Sequence, residues 1–263
     1  MSIDSATLWL RAAAPLFTVL AGMAFASFIG SLSYRVPRGV SIVAPRSYCS
    51  ACGRPIRPLD LVPVVSYLLL RGRCRACGTA IPVQYFAAEI ILPVAYLLMY
   101  YRFAPGPEFF VYSYLVSVLL YLSLLDIDWR AICVRDAVLP YGGAFPLLAL
   151  SILGAVPDPV SHYLSGAAAA GALAGLSCLL VRLARRRQPM GAGDLIVIPA
   201  VGIHFGLMGA VRVMVLSSLL GVLTGAVLVA AKRAERDTRL PMLPFLAGGV
   251  LVEVLWELLR LPF

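Results

Sequence analysis

Eight apolar runs constrain this chain more than any other feature. They lie at 8–32, 83–103, 109–129, 137–156, 162–182, 191–210, 212–231 and 241–261. Each is close to the roughly 20 residues that a helix needs to cross the hydrocarbon core of a bilayer. In lipid every main-chain N–H and C=O must be satisfied internally, so such runs are expected as helices. A hydrophobic fraction of 61% against 13% charged residues leaves too little polar surface to cover a soluble core of 263 residues. The expected fold class is therefore all-α: a polytopic membrane protein with about eight transmembrane helices. Asp4 stands where a signal peptide would carry basic residues, so the first run is expected to stay in the membrane. Two short turns are marked by prolines, Pro105 with Pro107 and Pro157 with Pro159.

A formal charge of +9 raises the question of an acidic partner. The basic residues, however, sit in the gaps between apolar runs rather than on one face, and no nucleic acid is expected. With the N-terminus outside, the inside segments are 33–82, 130–136, 183–190 and 232–240. Together with Arg182 at their edge, these segments hold 18 of the 22 Lys and Arg, leaving Arg11, Arg102, Arg212 and Arg260 for the other side. The positive-inside rule selects this orientation. Three parts are expected: a first transmembrane helix (1–32), a cytoplasmic loop domain (33–82) and a membrane-embedded region (83–263).

That loop domain carries Cys49, Cys52, Cys74 and Cys77 in two Cys-x-x-Cys pairs separated by 21 residues. Each pair places two thiolates on one tight turn, and two turns supply the four sulfurs of a tetrahedral zinc site. Gly53 and Gly78 follow the second cysteine of each pair, where a left-handed residue helps close the turn. A reducing cytoplasm disfavours disulfides. A structural zinc site thus outweighs a redox pair or unligated thiols. Four sulfurs leave no open position for catalysis, so the metal would staple a loop too small to have a core of its own. Cys133 and Cys178, near or in the spans, are expected to pack.

Carboxylates near apolar spans are costly, and a functional role is the default expectation. Asp126 and Asp128 lie at the inner end of one run, Asp136 at the start of the next, and Asp194 at the inner start of a later one. Two carboxyls at matching depth suit an aspartic peptidase: one keeps a proton while the other, ionised, activates water. Positions 126 and 128 are about 200° apart on a helix, so only one can face Asp194. Periodicity does not choose between them. Gly191 and Gly193, just before Asp194, permit close backbone approach. Taken alone, "GAGD" reads equally as a close-packed helix start capped by its aspartate; the second carboxylate favours chemistry.

These residues together resemble the type IV prepilin peptidases, bifunctional leader peptidase/N-methyltransferases of bacterial inner membranes. The resemblance runs through "SFIGSLSYRVPRG" (27–39), "SIVAPRSYCSACGRPIR" (41–57), "VPVVSYLLLRGRCRACG" (62–78), "YFAAEI" (85–90), "DIDWRAICVRD" (126–136) and "GAGD" (191–194). It implies an aspartic endopeptidase that removes the short basic leader of type IV prepilins, or of type II secretion pseudopilins, at the cytoplasmic membrane face. It further implies N-methylation of the new N-terminus by S-adenosylmethionine, with Zn2+ on the four cysteines. The family's first catalytic aspartate stands eight residues before the end of a Leu-Pro-Asp. A gap-free count back from Asp136 reaches Asp128, so the resemblance points to Asp128 and Asp194 as catalytic, supported by Gly191 and Gly193, with Asp126 as the alternative. Three positions depart from the family pattern. Gly30 replaces an asparagine in a stretch associated with methyl transfer, Val134-Arg135-Asp136 replaces Leu-Pro-Asp, and Ile196 replaces a lysine. Cleavage with weak methyl transfer, or none, is the resulting expectation.

Other residues carry weaker expectations. His204 is expected in an interhelical hydrogen bond and His162 in solvent at an outer turn. Glu89 is expected either to pair with a loop arginine or to serve methyl transfer. Glu253 and Glu257, one turn apart, could face a cavity. A reading of another class, a scaffold or transporter with a zinc docking loop, is disfavoured because the carboxylates gather at one membrane face and no acidic chain crosses it.

Overall fold

A computed structural model describes residues 3–104, 106–130, 132–185, 190–235 and 238–260. Pro105, Arg186, Arg187 and Arg236, which entered the topology above, lie outside the described residues. Within them the fold is helical. The helices are α1 (Ile3–Arg35), α2 (Val65–Leu69), α3 (Val83–Phe103), α4 (Glu108–Trp129), α5 (Val134–Ala137), α6 (Tyr141–Ile152), α7 (Val160–Arg185), α8 (Ala192–Ala230) and α9 (Leu243–Arg260). Extended pairing among the described residues is limited to two single bridges, Tyr48 with Pro55 and Arg73 with Ala80.

Every apolar run is helical, but the runs do not map one to one onto helices. Among the described residues five helices (α1, α3, α4, α7 and α8) are long and apolar enough to cross a membrane. The 137–156 run yields only the 12 residues of α6, because Asp136 and Ala137 belong to the separate turn of α5 and Gly154, at φ 68°, ends the chain's helical path. The runs 191–210 and 212–231 follow one another in α8, whose 39 residues are more than one crossing needs. The helix breaks inside that length at Gly206, at φ 61° and ψ −174°. A β-carbon there would lie 2.1 Å from His162 Nε2. His162, in the first turn of α7 and half-buried, sets its ring in the notch that this glycine leaves.

The chain divides into two compact units, Met1–Tyr101 and Arg102–Phe263. In the first, α1 and α3 touch backbone to backbone: a β-carbon on Gly22 would approach Pro93 Cα to 2.6 Å. The connecting loop is pinned to α3 where Tyr67, on α2, stacks on Phe86 with ring centroids 4.3 Å apart. In the second unit α8 packs between α7 and α9, and α9 lies along α4. The α7–α8 contact is made by small residues: a β-carbon on Gly202 would come within 2.4 Å of the Gly166 carbonyl oxygen and 2.7 Å of Ala170 Cβ. Without water to drive helix association, such close approach is what holds membrane helices together. The core of this unit contains Leu115, Leu119, Leu122, Ile198, Leu246 and Val250, all essentially inaccessible.

Candidate active site and metal centre

One end of the second unit gathers the carboxylates. Asp126 lies in the last turn of α4 and is 7% exposed; its Oδ2 accepts the main-chain N–H of Leu243, the first residue of α9, at 3.0 Å. Asp194 lies in the first turn of α8, where its Oδ2 accepts the Gly191 N–H at 3.1 Å. Each carboxyl is therefore fixed through one oxygen by a main-chain donor, and its Oδ1 has no hydrogen-bond partner among the described residues. Of the described ionisable groups, Asp126 is the one whose charge bears on Asp194. Asp128 is exposed and stands about 200° around α4 from Asp126. Asp136 is buried beneath the same end, where its Oδ1 accepts the Tyr121 hydroxyl at 3.4 Å and lies 3.6 Å from Arg135 Nε.

The two glycines before Asp194 do different work. A β-carbon on Gly193 would sit 3.0 Å from both Ile132 Cβ and the Ile132 carbonyl oxygen, so glycine lets the segment leading into α5 lie tightly against the start of α8. Gly191 is extended, at φ −70° and ψ 155°, and supplies the N–H that Asp194 accepts.

In the first unit the two cysteine turns are near copies. Cys49 N–H donates to the Arg54 carbonyl and Gly53 N–H to the Cys49 carbonyl; Cys74 and Gly78 repeat this with Thr79 and Cys74, all four at 2.9 Å. Gly53 and Gly78 have φ 71° and 72°, the left-handed geometry expected from their place after the second cysteine. The four sulfurs lie within 4.8 Å of one another, and Cys49 Sγ is 3.9 Å from Cys77 Sγ. Tetrahedral zinc with bonds near 2.3 Å separates its sulfurs by about 3.8 Å, so the donor set fits the ion. Hydrogen bonds from the Thr79 hydroxyl and amide bring the Cys77 thiol down to about 6. Main-chain donors at Cys52 and Ala51 lower Cys49. Cys52 is lowered by the Arg54 amide, but burial and the neighbouring thiols Cys77 and Cys49 outweigh that and raise it to about 11. A divalent cation is what allows four crowded thiolates to coexist. Beside the site, Arg75 donates from Nε and Nη2 to both oxygens of Asp60 at 2.7–3.2 Å and holds that carboxyl below its ordinary range.

The purified protein should accordingly carry about one zinc. Serine at any of the four cysteines is expected to lower metal content and to speed proteolysis between Arg46 and Arg75. Metal analysis finding no zinc, with all four thiols alkylated in the native protein, would refute the site.

A cavity of about 580 Å³ opens beside the cysteine turns, within the range of small-molecule sites. Gly30, Arg54, Arg57, Tyr85 and Glu89 are among its lining residues. The Tyr85 ring covers Gly30, with Cδ1 3.2 Å from where a β-carbon would stand.

Comparison with known proteins decides what this combination is. The sequence profile of the bacterial peptidase A24 N-terminal domain matches residues 20–103. A prepilin leader peptidase/N-methyltransferase of Bacillus subtilis (strain 168) is 30% identical over 237 residues, covering 89% of this chain and 91% of the relative. That of Pseudomonas putida is 33% identical over 221 residues, covering 81% and 72%. The chain belongs to the prepilin leader peptidase/N-methyltransferase family. No solved structure matches it.

In this family member Glu253, Glu257, His204 and Glu89 each have partners within the chain. Glu253 is fully buried and binds Arg212, with Nε at 2.8 and 2.9 Å from its two oxygens and Nη2 closing a second bond. Glu257 lies 3.7 Å from Arg102 and 3.9 Å from Arg212. The two glutamates thus form an ion cluster with Arg212 of α8 and with Arg102, in the last turn of α3. His204 is buried and its Nδ1 pairs with the Ala200 carbonyl of its own helix at 2.9 Å; the interhelical bond at this residue runs instead from the Tyr112 hydroxyl to the His204 carbonyl. Glu89 pairs with no loop arginine among the described residues; its Oε2 accepts the Val64 N–H at 2.6 Å. Sequence reasoning missed this turn and the Leu243 anchor of Asp126, since both partners are main-chain groups with no residue-type signature.

Proposed function

We propose that this protein is a multi-pass inner-membrane aspartic endopeptidase that removes the leader of prepilins or pseudopilins, with Asp126 and Asp194 as the working pair. The carrying observation is the anchoring of both carboxyls, each by one main-chain N–H, at one end of the second unit with the charge of Asp126 acting on Asp194. Burial and the direction of the α4 face favour Asp126 over Asp128, although the gap-free count to Asp136 favours the latter. Two such carboxyls share one proton because both cannot ionise cheaply side by side. The ionised one takes a proton from water, whose oxygen attacks the scissile carbonyl carbon. Its protonated partner donates to the carbonyl oxygen. Collapse of the tetrahedral intermediate breaks the C–N bond, and the leaving nitrogen takes a proton from the pair. With the basic loops inside, this end faces the cytoplasm, where a basic leader would remain while the apolar part of its substrate lies in the membrane.

The second activity in the family name fits the first unit. Zinc on Cys49, Cys52, Cys74 and Cys77 would fix the walls of the cavity beside it, where S-adenosylmethionine would supply an electrophilic methyl group. Tyr85 occupies the space next to Gly30 that an asparagine side chain would need, so methyl transfer here would rely on other polar groups. The test is mass spectrometry of a prepilin-type peptide incubated with the purified protein and S-adenosylmethionine. Loss of the leader is expected, followed by a slower gain of one methyl on the new N-terminus. An uncut peptide would contradict the peptidase reading, and a cut product that never gains a methyl would contradict the second activity alone.

A further inference from the structure

The charged residues lining the cavity of the first unit are not equally available. Asp60 and Arg75 neutralise each other through three hydrogen bonds. Arg35 is used by the chain itself, donating to the Ser41 and Pro45 carbonyls at 2.8 Å each. What remains is one carboxylate, Glu89, and the guanidinia of Arg54 and Arg57, which make no hydrogen bond or ion pair among the described residues, Arg57 acting on Asp60 only through its charge at longer range. A site with one unspent anion and two unspent cations matches a ligand bearing a cationic centre and a carboxylate.

Glu89 is held unusually firmly. Its Oε2 accepts the N–H of Val64, a β-branched residue at φ 62° and ψ −54°. That places Val64 at the centre of a γ-turn closed by Val65 N–H on the Pro63 carbonyl at 2.6 Å. Positive φ is a genuine outlier for valine, and strain of this kind persists only where its surroundings impose it. Here the turn is closed by its own Val65 bond and capped by the carboxylate, and that contact fixes one oxygen of Glu89. Its Oε1 has no hydrogen-bond partner among the described residues, on a group that the cavity reaches.

We infer that Glu89 reads the cationic centre of the ligand through Oε1, while Arg54 and Arg57 hold the carboxylate end. This rests on the methyl-donor reading above, for S-adenosylmethionine carries an ammonium, a sulfonium and a carboxylate. The Val64 turn makes Glu89 rigid before the ligand arrives, so little side-chain freedom is lost on binding.

The experiment measures S-adenosylmethionine binding to the full-length, zinc-loaded protein in nanodiscs, alongside its Glu89→Gln variant. Glutamine keeps an oxygen for the Val64 N–H but removes the charge. The variant is expected to bind about tenfold or more weakly, with zinc content and loop proteolysis unchanged. Equal affinity of the two proteins would overturn the inference while leaving the methyl-donor reading intact. No binding by the unsubstituted protein would remove that reading, and the inference with it. Loss of zinc or faster cutting in the variant would also overturn it, since the charge would then serve the loop and not a ligand.

Discussion

Asp194→Asn is expected to reduce prepilin cleavage by at least about a thousandfold while the protein remains inserted and folded. Asparagine can still accept the Gly191 N–H through its amide oxygen, so the start of α8 keeps its cap. What it cannot do is carry or share a proton. Positioned proton transfer accounts for about 10² to 10⁴ in rate. A dyad loses both of its roles together, because neither carboxyl has a protonation state independent of the other. The barrier would rise by about 4 kcal/mol. Initial rates on a prepilin-type peptide check this, with thermal unfolding in detergent as the control for folding. Cleavage within a few fold of the unsubstituted protein would exclude Asp194 from the chemistry.

The largest stability effect is expected at Glu253, well away from that pair. Glu253→Ala removes the fully buried partner of Arg212 and leaves a guanidinium without its two-oxygen acceptor. Breaking a buried pair from one side costs about 3–5 kcal/mol. The lower end applies here because Glu257 remains 3.9 Å from Arg212 and Arg212 is itself only partly buried. The variant should unfold several degrees earlier in detergent. Replacing both partners by apolar residues, Glu253→Leu with Arg212→Met, should cost less than the single change, because no charge is left unpaired. A double variant less stable than the single would show that the cluster holds the α8–α9 contact through more than charge.

Much of this fold was legible because the physics that sets it is local. The run at 83–103 matches α3 residue for residue, since lipid requires an uninterrupted helix of that length. The cysteine turns were legible for a similar reason. Two thiolates with two residues between them, followed by a glycine, specify a turn whatever surrounds them. The break in α8 was not. Nothing in "VGIHFGLMG" distinguishes Gly206 from Gly202 or Gly209; the difference is the ring of His162, 44 positions earlier. The strain at Val64 was hidden too, because the carboxylate that holds it comes from α3.

Asp126 and Asp128 illustrate the same limit at the site. Counting along the chain favours Asp128, since the spacing to Asp136 then needs no gap. Packing favours Asp126, since α9 begins against it and Leu243 anchors its carboxyl from 117 positions away. A sequence spacing cannot register that contact.

Prepilin cleavage by Asp126→Asn and Asp128→Asn, measured side by side on protein of verified fold, tests the assignment of the pair most directly. The expected result is loss of activity in Asp126→Asn, as severe as in Asp194→Asn, with Asp128→Asn remaining within about tenfold of the unsubstituted protein, as befits an exposed charge outside the pair. An inactive Asp128→Asn beside an active Asp126→Asn would contradict the assignment and place the chemistry on the opposite face of α4.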